Sequence, residues 1–394
     1  MASFRKRGQT WTYQVLYKNP VTGEREYITK GGFKKKSDCK EAAAEVEKKI
    51  NNNSYAKERK VTFQEFALEW FEEYEKQSNK PSTARARFYD IRHFINAFGA
   101  VELSKISARH YQDVLYQLRD QGFAHNTISG INGAGKMVFK RAMAQNILQS
   151  DPTQYVKLPR VKKTIEELES EKEVVKYLEK DQLSTFLHVA EEQGVDIDYF
   201  VFLLKAYSGM RVGELLALKW TDIDFTNGEI NITKTYYNPQ NRIKEFELLT
   251  PKNSSKRTIQ IDEFVLGELK TLKKMMNEYK LRKGKEYNDQ GFIFVDTNRT
   301  PGYPMIIKTV GRRMKRILKL AQLDESLTPH SLRHTHTSLL AEAGVSLEEI
   351  MERLGHKNDS VTRDVYLHVT KSRKKEAAVK FSNLMDSVRN KNSG

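Results

Sequence analysis

At 394 residues and 39% hydrophobic, the chain exceeds what one core usually organises, so two or three domains are expected. Its 67 Lys and Arg against 51 Asp and Glu give a formal charge of +16, which favours a polyanionic partner, nucleic acid first, because each phosphate contact releases condensed counterions. The single cysteine, Cys39, excludes an intrachain disulfide and a cysteine-based zinc site, and no apolar run is long enough for a membrane span or a signal peptide, so a soluble cytoplasmic protein without membrane partners is expected.

Residues 11 to 33 read WTYQVLYK, NPVTGE and REYITKGGF, two alternating segments joined by a Pro- and Gly-bearing turn, which signals a hairpin. Lys34, Lys35 and Lys36 follow, and Ser37 can cap a helix through Asp38, Ala42, Val46 and Ile50. The first sixty residues hold 15 Lys or Arg against 7 Asp or Glu, half the net charge of the chain, so a small basic ββ(β)α module is expected. After the polar break Asn51 to Ser54, Thr62 opens an amphipathic helix with Phe63, Phe66, Ala67, Trp70, Phe71 and Tyr74 at helical spacing. Ser82 begins a second helix, with Tyr89, Ile91, Phe94 and Phe98, and Ser107 a third, with Tyr111, Val114, Leu115 and Leu118; a fourth spans about Asn126 to Asn146. Their aromatic stripes fit burial against other helices better than base stacking. From Pro159 to Lys176 the sequence is charged and reads as a linker. Beyond it lie an apolar helix ending near Gly209, strand-like runs Glu229 to Thr235 and Arg257 to Ile261, and several helices from Ile306, a mixed unit with a small antiparallel sheet.

Three clusters carry candidate chemistry. SGMRVGELLALKW sets Arg211 at a turn ahead of an apolar stretch. In TPHSLRHTHTSLL, Thr328 is a candidate N-cap and Pro329 a first helical residue, so His330 and Arg333 share a face of the first turn and can present an imidazole and a guanidinium to one phosphate. MERLGHKNDSVTRDVYLHV ends a helix at Gly355, followed by His356 and, ten residues on, Tyr366. Taken singly each piece is ordinary: His-x-x-Arg arises by chance among nine histidines, and Tyr366 is one of 18 tyrosines. The spacing of His330 and His334 also suits two zinc ligands, but the glutamate of His-Glu-x-x-His is absent, and His334 is read as packed inward with His336 on the surface.

The order Arg211, His330-x-x-Arg333, Leu354-Gly355-His356, Tyr366 resembles the tyrosine recombinase (lambda-type integrase) family, close to the integrases of temperate phages and bacterial conjugative transposons. The resemblance implies a multidomain, mainly α fold with small β-sheets. It comprises an arm-type DNA-binding domain at 1–56 (three-stranded sheet plus helix), a helical SAM-like core-binding domain at 61–158, a linker at 159–176, a mixed α+β catalytic domain at 177–385 and a tail at 386–394. It implies a catalytic lysine on a β-hairpin; LLTPKNSSKRTIQI has that look, with Lys252 in the turn and Lys256 as the alternative.

The implied enzyme is a site-specific recombinase of a mobile element that needs no metal, ATP or other cofactor. Tyr366 attacks a phosphate to leave a 3'-phosphotyrosyl ester, Arg211 and Arg333 bind the non-bridging oxygens, Lys252 protonates the leaving 5'-oxygen, and His330 and His356 assist. Implied partners are double-stranded DNA at core-type and arm-type attachment sites and a homotetramer on DNA, with room for an excisionase and a host DNA-bending protein. Lys34, Lys35 and Lys36 in the first domain and Lys80, Arg85, Arg87, Lys136, Lys140 and Arg141 in the second are the candidate DNA contacts. An apolar signal in the segment from Lys371 to Gly394 fits packing on its own domain, whereas the resemblance implies docking on a neighbouring protomer. Two rival readings share these residues: a type IB topoisomerase, and a catalytically silent DNA-binding regulator.

Overall fold

The computed structural model describes residues 2–18, 23–51, 60–78, 80–160, 177–252, 256–355 and 362–367. The chain divides into two compact units, Met1–Thr164 and Ile165–Gly394. The expected linker (all but residues 159 and 160), His356 and the C-terminal segment from Lys371 lie outside the described residues.

The first unit opens with an antiparallel sheet of β1 (Ser3–Arg7), β2 (Thr10–Lys18) and β3 (Arg25–Phe33), in that order. Alternation along β2 turns Tyr13 and Val15 onto helix α1 (Lys36–Asn51), where they bury Cys39 and Ala43. The helix begins at Lys36 rather than after Ser37, whose hydroxyl turns instead to the Asp38 carboxylate at 2.9 Å.

Four helices follow, α2 (Phe63–Gln77), α3 (Pro81–Phe98), α4 (Ala108–Asp120) and α5 (His125–Ala144). A capping box starts α2: the Glu65 amide donates to Thr62 Oγ1 at 3.3 Å and the Thr62 amide to Glu65 Oε2 at 2.9 Å, satisfying amides that the first turn leaves open. The aromatic stripes meet as a core, with Phe63 edge-on to Phe98 at 4.8 Å and Phe94 stacked on Tyr111 at 4.6 Å. Tyr89 departs from the expected stripe: two residues from Ile91, it lies roughly 200° round the helix and is exposed, with Arg85 and Arg92 over its ring at 5.5 and 5.9 Å.

The second unit contains α6 (Lys180–Gln193), α7 (Asp198–Ser208), α8 (Val212–Leu216), α9 (Glu263–Lys283), α10 (Ile307–Leu320), α11 (Ser331–Glu342) and α12 (Leu347–Leu354). It also holds a sheet ordered β4 (Ile223–Asp224), β5 (Glu229–Ile232), β8 (Arg257–Gln260) and a ribbon of β6 (Thr235–Tyr237) with β7 (Glu247–Leu249). The run read as one strand, Glu229 to Thr235, is thus two strands in different sheets. The chain turns at Thr233 and Lys234, where the Lys234 ammonium pairs with Asp222 at 2.6 Å. One apolar core joins Phe186, Phe202, Leu215, Ile230, Ile259, Phe294, Met314 and Leu332. Among the described residues no helix is long and apolar enough to cross a membrane.

Candidate active site

Helix α7 ends at Gly209 in the left-handed region, φ +62°, and the chain reverses so that Arg211 becomes the N-cap of α8. A Cβ at Gly209 would stand 2.6 Å from the His336 ring and 2.7 Å from Leu354, so glycine is required by both backbone and packing. Lys205, fully buried on α7, donates from Nζ to the Met210 carbonyl at 2.6 Å, fastening the residue next to Arg211. Glu214, 1% exposed, accepts from the Arg211 amide at 3.0 Å, from Arg211 Nη1 at 2.9 Å and from Arg257 Nη2 at 2.8 Å. Burial opposes its ionisation, but the hydrogen bond and charge of Arg257, with the Arg211 contacts, more than offset this and hold the carboxyl at about 2.

The His-x-x-Arg pair sits differently from the sequence expectation. Thr328 and Pro329 lie in a turn before α11, and His330 itself takes the cap position; the Thr328 amide donates to Ser331 Oγ at 3.1 Å. Arg333 is buried, not displayed: Nη1 donates to the Gly209 carbonyl and Nη2 to the Leu354 carbonyl, both at 2.7 Å. It therefore ties the turn before Arg211 to the end of α12, just ahead of His356. His330 is exposed as a residue, but its ring meets His334 edge-on at 4.7 Å. Crowding of that imidazole, followed by the charges of His334, Lys205, Arg333 and Arg211, lowers its pKa. Lys205 is pushed down to about 7, chiefly by burial and then by Arg333; Glu214 works in the opposite direction. Arg211, Arg333, Lys205 and His330 thus form one electrostatic cluster.

The expected roles of His334 and His336 are exchanged. His336 is 6% exposed and His334 half-buried, because the side of α11 that carries His336 packs onto α7. His336 Nδ1 meets the Ala206 carbonyl at 2.8 Å, and Nε2 accepts from Arg353 Nε at 3.1 Å, so the proton of the neutral ring belongs on Nδ1. Burial and then the Arg353 charge press its pKa to about 3. Arg353 also donates to the carbonyls of Tyr207 (3.2 Å) and Gln260 (3.0 Å), and its own carbonyl accepts from Arg257 Nε at 2.8 Å. One network therefore runs from α12 through β8 and Glu214 to Arg211.

Lys252 and Lys256 are both exposed. The strands on either side of them do not form the expected hairpin with each other: β7, ending at Leu249, pairs with β6, and β8, beginning at Arg257, pairs with β5 in a different sheet. Tyr366 lies in a short helix over 362–367 and packs with Ala341, Ile350 and Leu354, the residue whose carbonyl Arg333 holds.

The DNA-contact candidates divide. Lys34, Lys35, Lys36, Lys136 and Lys140 are exposed, and Lys36 Nζ stands 4.9 Å from the Trp11 ring. Arg85 and Lys80 are half-buried. Arg141 pairs with Glu73 at 2.7 Å, and Arg87 turns to Asp90 at 2.9 Å and the Gly130 carbonyl at 3.3 Å, an internal tie rather than an open cation.

Sequence reasoning missed Lys205, Glu214, Arg257, His336 and Arg353. Only Glu214 carried a local signal, an acid three residues after a helix-opening Arg211.

Residues 176–373 match the phage integrase family, residues 3–50 an arm DNA-binding domain and residues 62–118 the N-terminal SAM-like domain of phage integrases. The chain is 30% identical over 364 residues to the integrase of Staphylococcus phage L54a, covering 86% of this chain and 98% of the relative. It is 29% identical over 379 residues to the ICEBs1 integrase of Bacillus subtilis, covering 93% and 95%. Among solved structures it resembles the Tn1549 transposon integrase in complex with transposon right end DNA, with TM-score 0.62 and 21% identity over 81% of this chain and 100% of that one. A lambda integrase tetramer bound to a Holliday junction gives TM-score 0.57 and 17% identity over 92% and 96%. At these identities the two structures speak for the fold.

Proposed function

The chain belongs to the phage integrase family and is a tyrosine recombinase of the integrase type, an enzyme of site-specific recombination; within that activity, we propose that Tyr366 breaks and rejoins the DNA strand. The observation that carries this reading is where Tyr366 packs: against the apolar cluster of Ala341, Ile350 and Leu354, whose Leu354 carbonyl is held by one proposed phosphate-binding arginine, Arg333, which also holds the Gly209 carbonyl in the turn before the other. A tyrosyl ester conserves the energy of the phosphodiester bond, so religation needs no ATP. Guanidiniums on the non-bridging oxygens strengthen their hold as charge develops in the transition state. Arg211, anchored by Glu214, and Arg333, anchored by two carbonyls, are preorganised for that role.

His330, held neutral at physiological pH, can accept a proton or a hydrogen bond from the phenol, whose ordinary pKa of about 10 needs such help. Lys252 is assigned as the acid for the leaving 5'-oxygen, with Lys256 as the competing residue; His356 would bind the phosphate. The 1–56 module and the 61–158 helices, with their exposed lysines, are assigned to arm-type and core-type DNA, which makes one protomer bivalent and raises the effective concentration of the second site. A homotetramer on DNA in the bacterial cytoplasm, served by an excisionase and a host DNA-bending protein, completes the reading.

With a nicked suicide substrate from the attachment region, wild type is expected to form a covalent protein-DNA adduct on a denaturing gel and Tyr366→Phe none. A persistent adduct removes Tyr366 from the role. Lys252→Ala should slow cleavage by at least about a hundredfold with DNA affinity retained, the usual scale for a lost general acid; full activity there and loss in Lys256→Ala would move the assignment.

A further inference from the structure

The outward face of the N-terminal sheet is organised in rows across its strands. Phe4, Tyr13, Val15 and Ile28 pack toward α1, so alternation turns Arg5, Gln14, Leu16, Lys18, Arg25 and Tyr27 the other way. Register pairs Arg5 with Thr12, Leu16 with Tyr27 and Lys18 with Arg25. Arg5, Lys18 and Arg25 are exposed, and so is the central apolar pair, Leu16 at 40% and Tyr27 at 64%. Two large apolar side chains left in water side by side on a two-sided sheet contribute nothing to this module's own core.

Charge and spacing identify the occupant. The Arg5 row and the Lys18 row are six residues apart along β2, about 20 Å, so the cations at the two ends can straddle a major groove about 12 Å wide and meet the phosphates on either side. The middle of the face then lies over base edges. Glu26, on β3, is directed away from it, opposite Tyr17.

We propose that Leu16 and Tyr27 read thymine 5-methyl groups, and that Gln14 beside them reads an adenine edge, so that A·T pairs at the centre of the arm-type site are selected by contact. This rests on the reading of residues 1–56 as a DNA-binding module. Apolar contact with the thymine methyl and a bidentate glutamine on adenine N6 and N7 are the pairings that major-groove geometry favours for these side chains. Lys34, Lys35 and Lys36, beyond the end of β3, would add backbone contacts without sequence preference.

The test starts from duplexes selected out of a random-sequence library by the full-length protein. Those that K18A R25A no longer binds define the sites of the sheet face, since loss of these outward cations leaves the module's core intact. In that class a shared A·T position is expected. Replacing its thymine by deoxyuridine, which removes only the methyl, should weaken wild-type binding about fivefold and leave the affinity of L16A Y27A unchanged. Q14A should relax the preference for adenine. Equal wild-type affinity for the thymine and deoxyuridine duplexes, or G·C pairs throughout the class, overturns this inference while the DNA-binding module stands. If no selected duplex depends on Lys18 and Arg25, the module reading falls and takes the inference with it.

Discussion

Replacing Glu214 by Gln removes one negative charge from a buried point where two arginines converge. The carboxyl is 1% exposed and held at about 2 against an ordinary 4.5, so proton linkage puts its contribution at about 3 kcal/mol at neutral pH. Breaking a buried ion pair from one side costs a similar ~3–5 kcal/mol, because the remaining charge is left without its counterion. Since folding depresses this pKa, the contribution is complete above about 4.5 and is lost as the pH falls through about 2; by pH 3 about half should remain. The chain has three tryptophans, Trp11, Trp70 and Trp220, so a W11F W70F background leaves Trp220 to report urea unfolding of the second unit alone. Glu214→Gln in that background should lose about 3 kcal/mol at pH 7, and the gap to its parent should narrow toward pH 3. A loss below about 1 kcal/mol, or a gap independent of pH, would refute the account of Glu214 as the counterion that holds Arg211 in place.

Gly209→Ala should destabilise the same unit by at least ~2 kcal/mol and depress DNA cleavage with it, because the new Cβ meets His336 and Leu354 in a backbone conformation that already disfavours side chains; urea unfolding and adduct yield check both. Lys205→Met should raise stability at pH 7 by roughly 2 kcal/mol, the cost of a buried amine less its hydrogen bond to Met210, and slow cleavage by withdrawing a cation from the site. Folding lowers the amine from 10.5 to about 7, so wild type regains stability as the pH rises from 7 through 10, and the Lys205→Met advantage should shrink over that interval. A Lys205→Met chain no more stable than wild type at pH 7 would contradict the buried-amine account.

The sequence by itself determined what depends on near neighbours. Thr62 and Ser107 announced helix starts, apolar spacing announced which faces of α2 and α4 turn inward, and the order of Arg211, His330, Arg333 and Tyr366 carried the resemblance to the family. Local signals end where pairing becomes long-range. Nothing in Glu229 to Thr235 says that the run divides between two sheets, and nothing in LLTPKNSSKRTIQI says that β7 and β8 choose different partners. The exchange of His334 and His336 has the same origin, since burial on α11 is decided by where α7 and Arg353 stand. The tertiary structure alone decided that Arg333 is a buried tie and that Arg257 and Arg353 extend the network from the Arg211–Glu214 pair. Arg257, Arg333 and Arg353 stand tens of residues from the Arg211–Glu214 pair, and their interactions exist only once packing brings them into a dry interior, where an unpaired charge is too costly to tolerate.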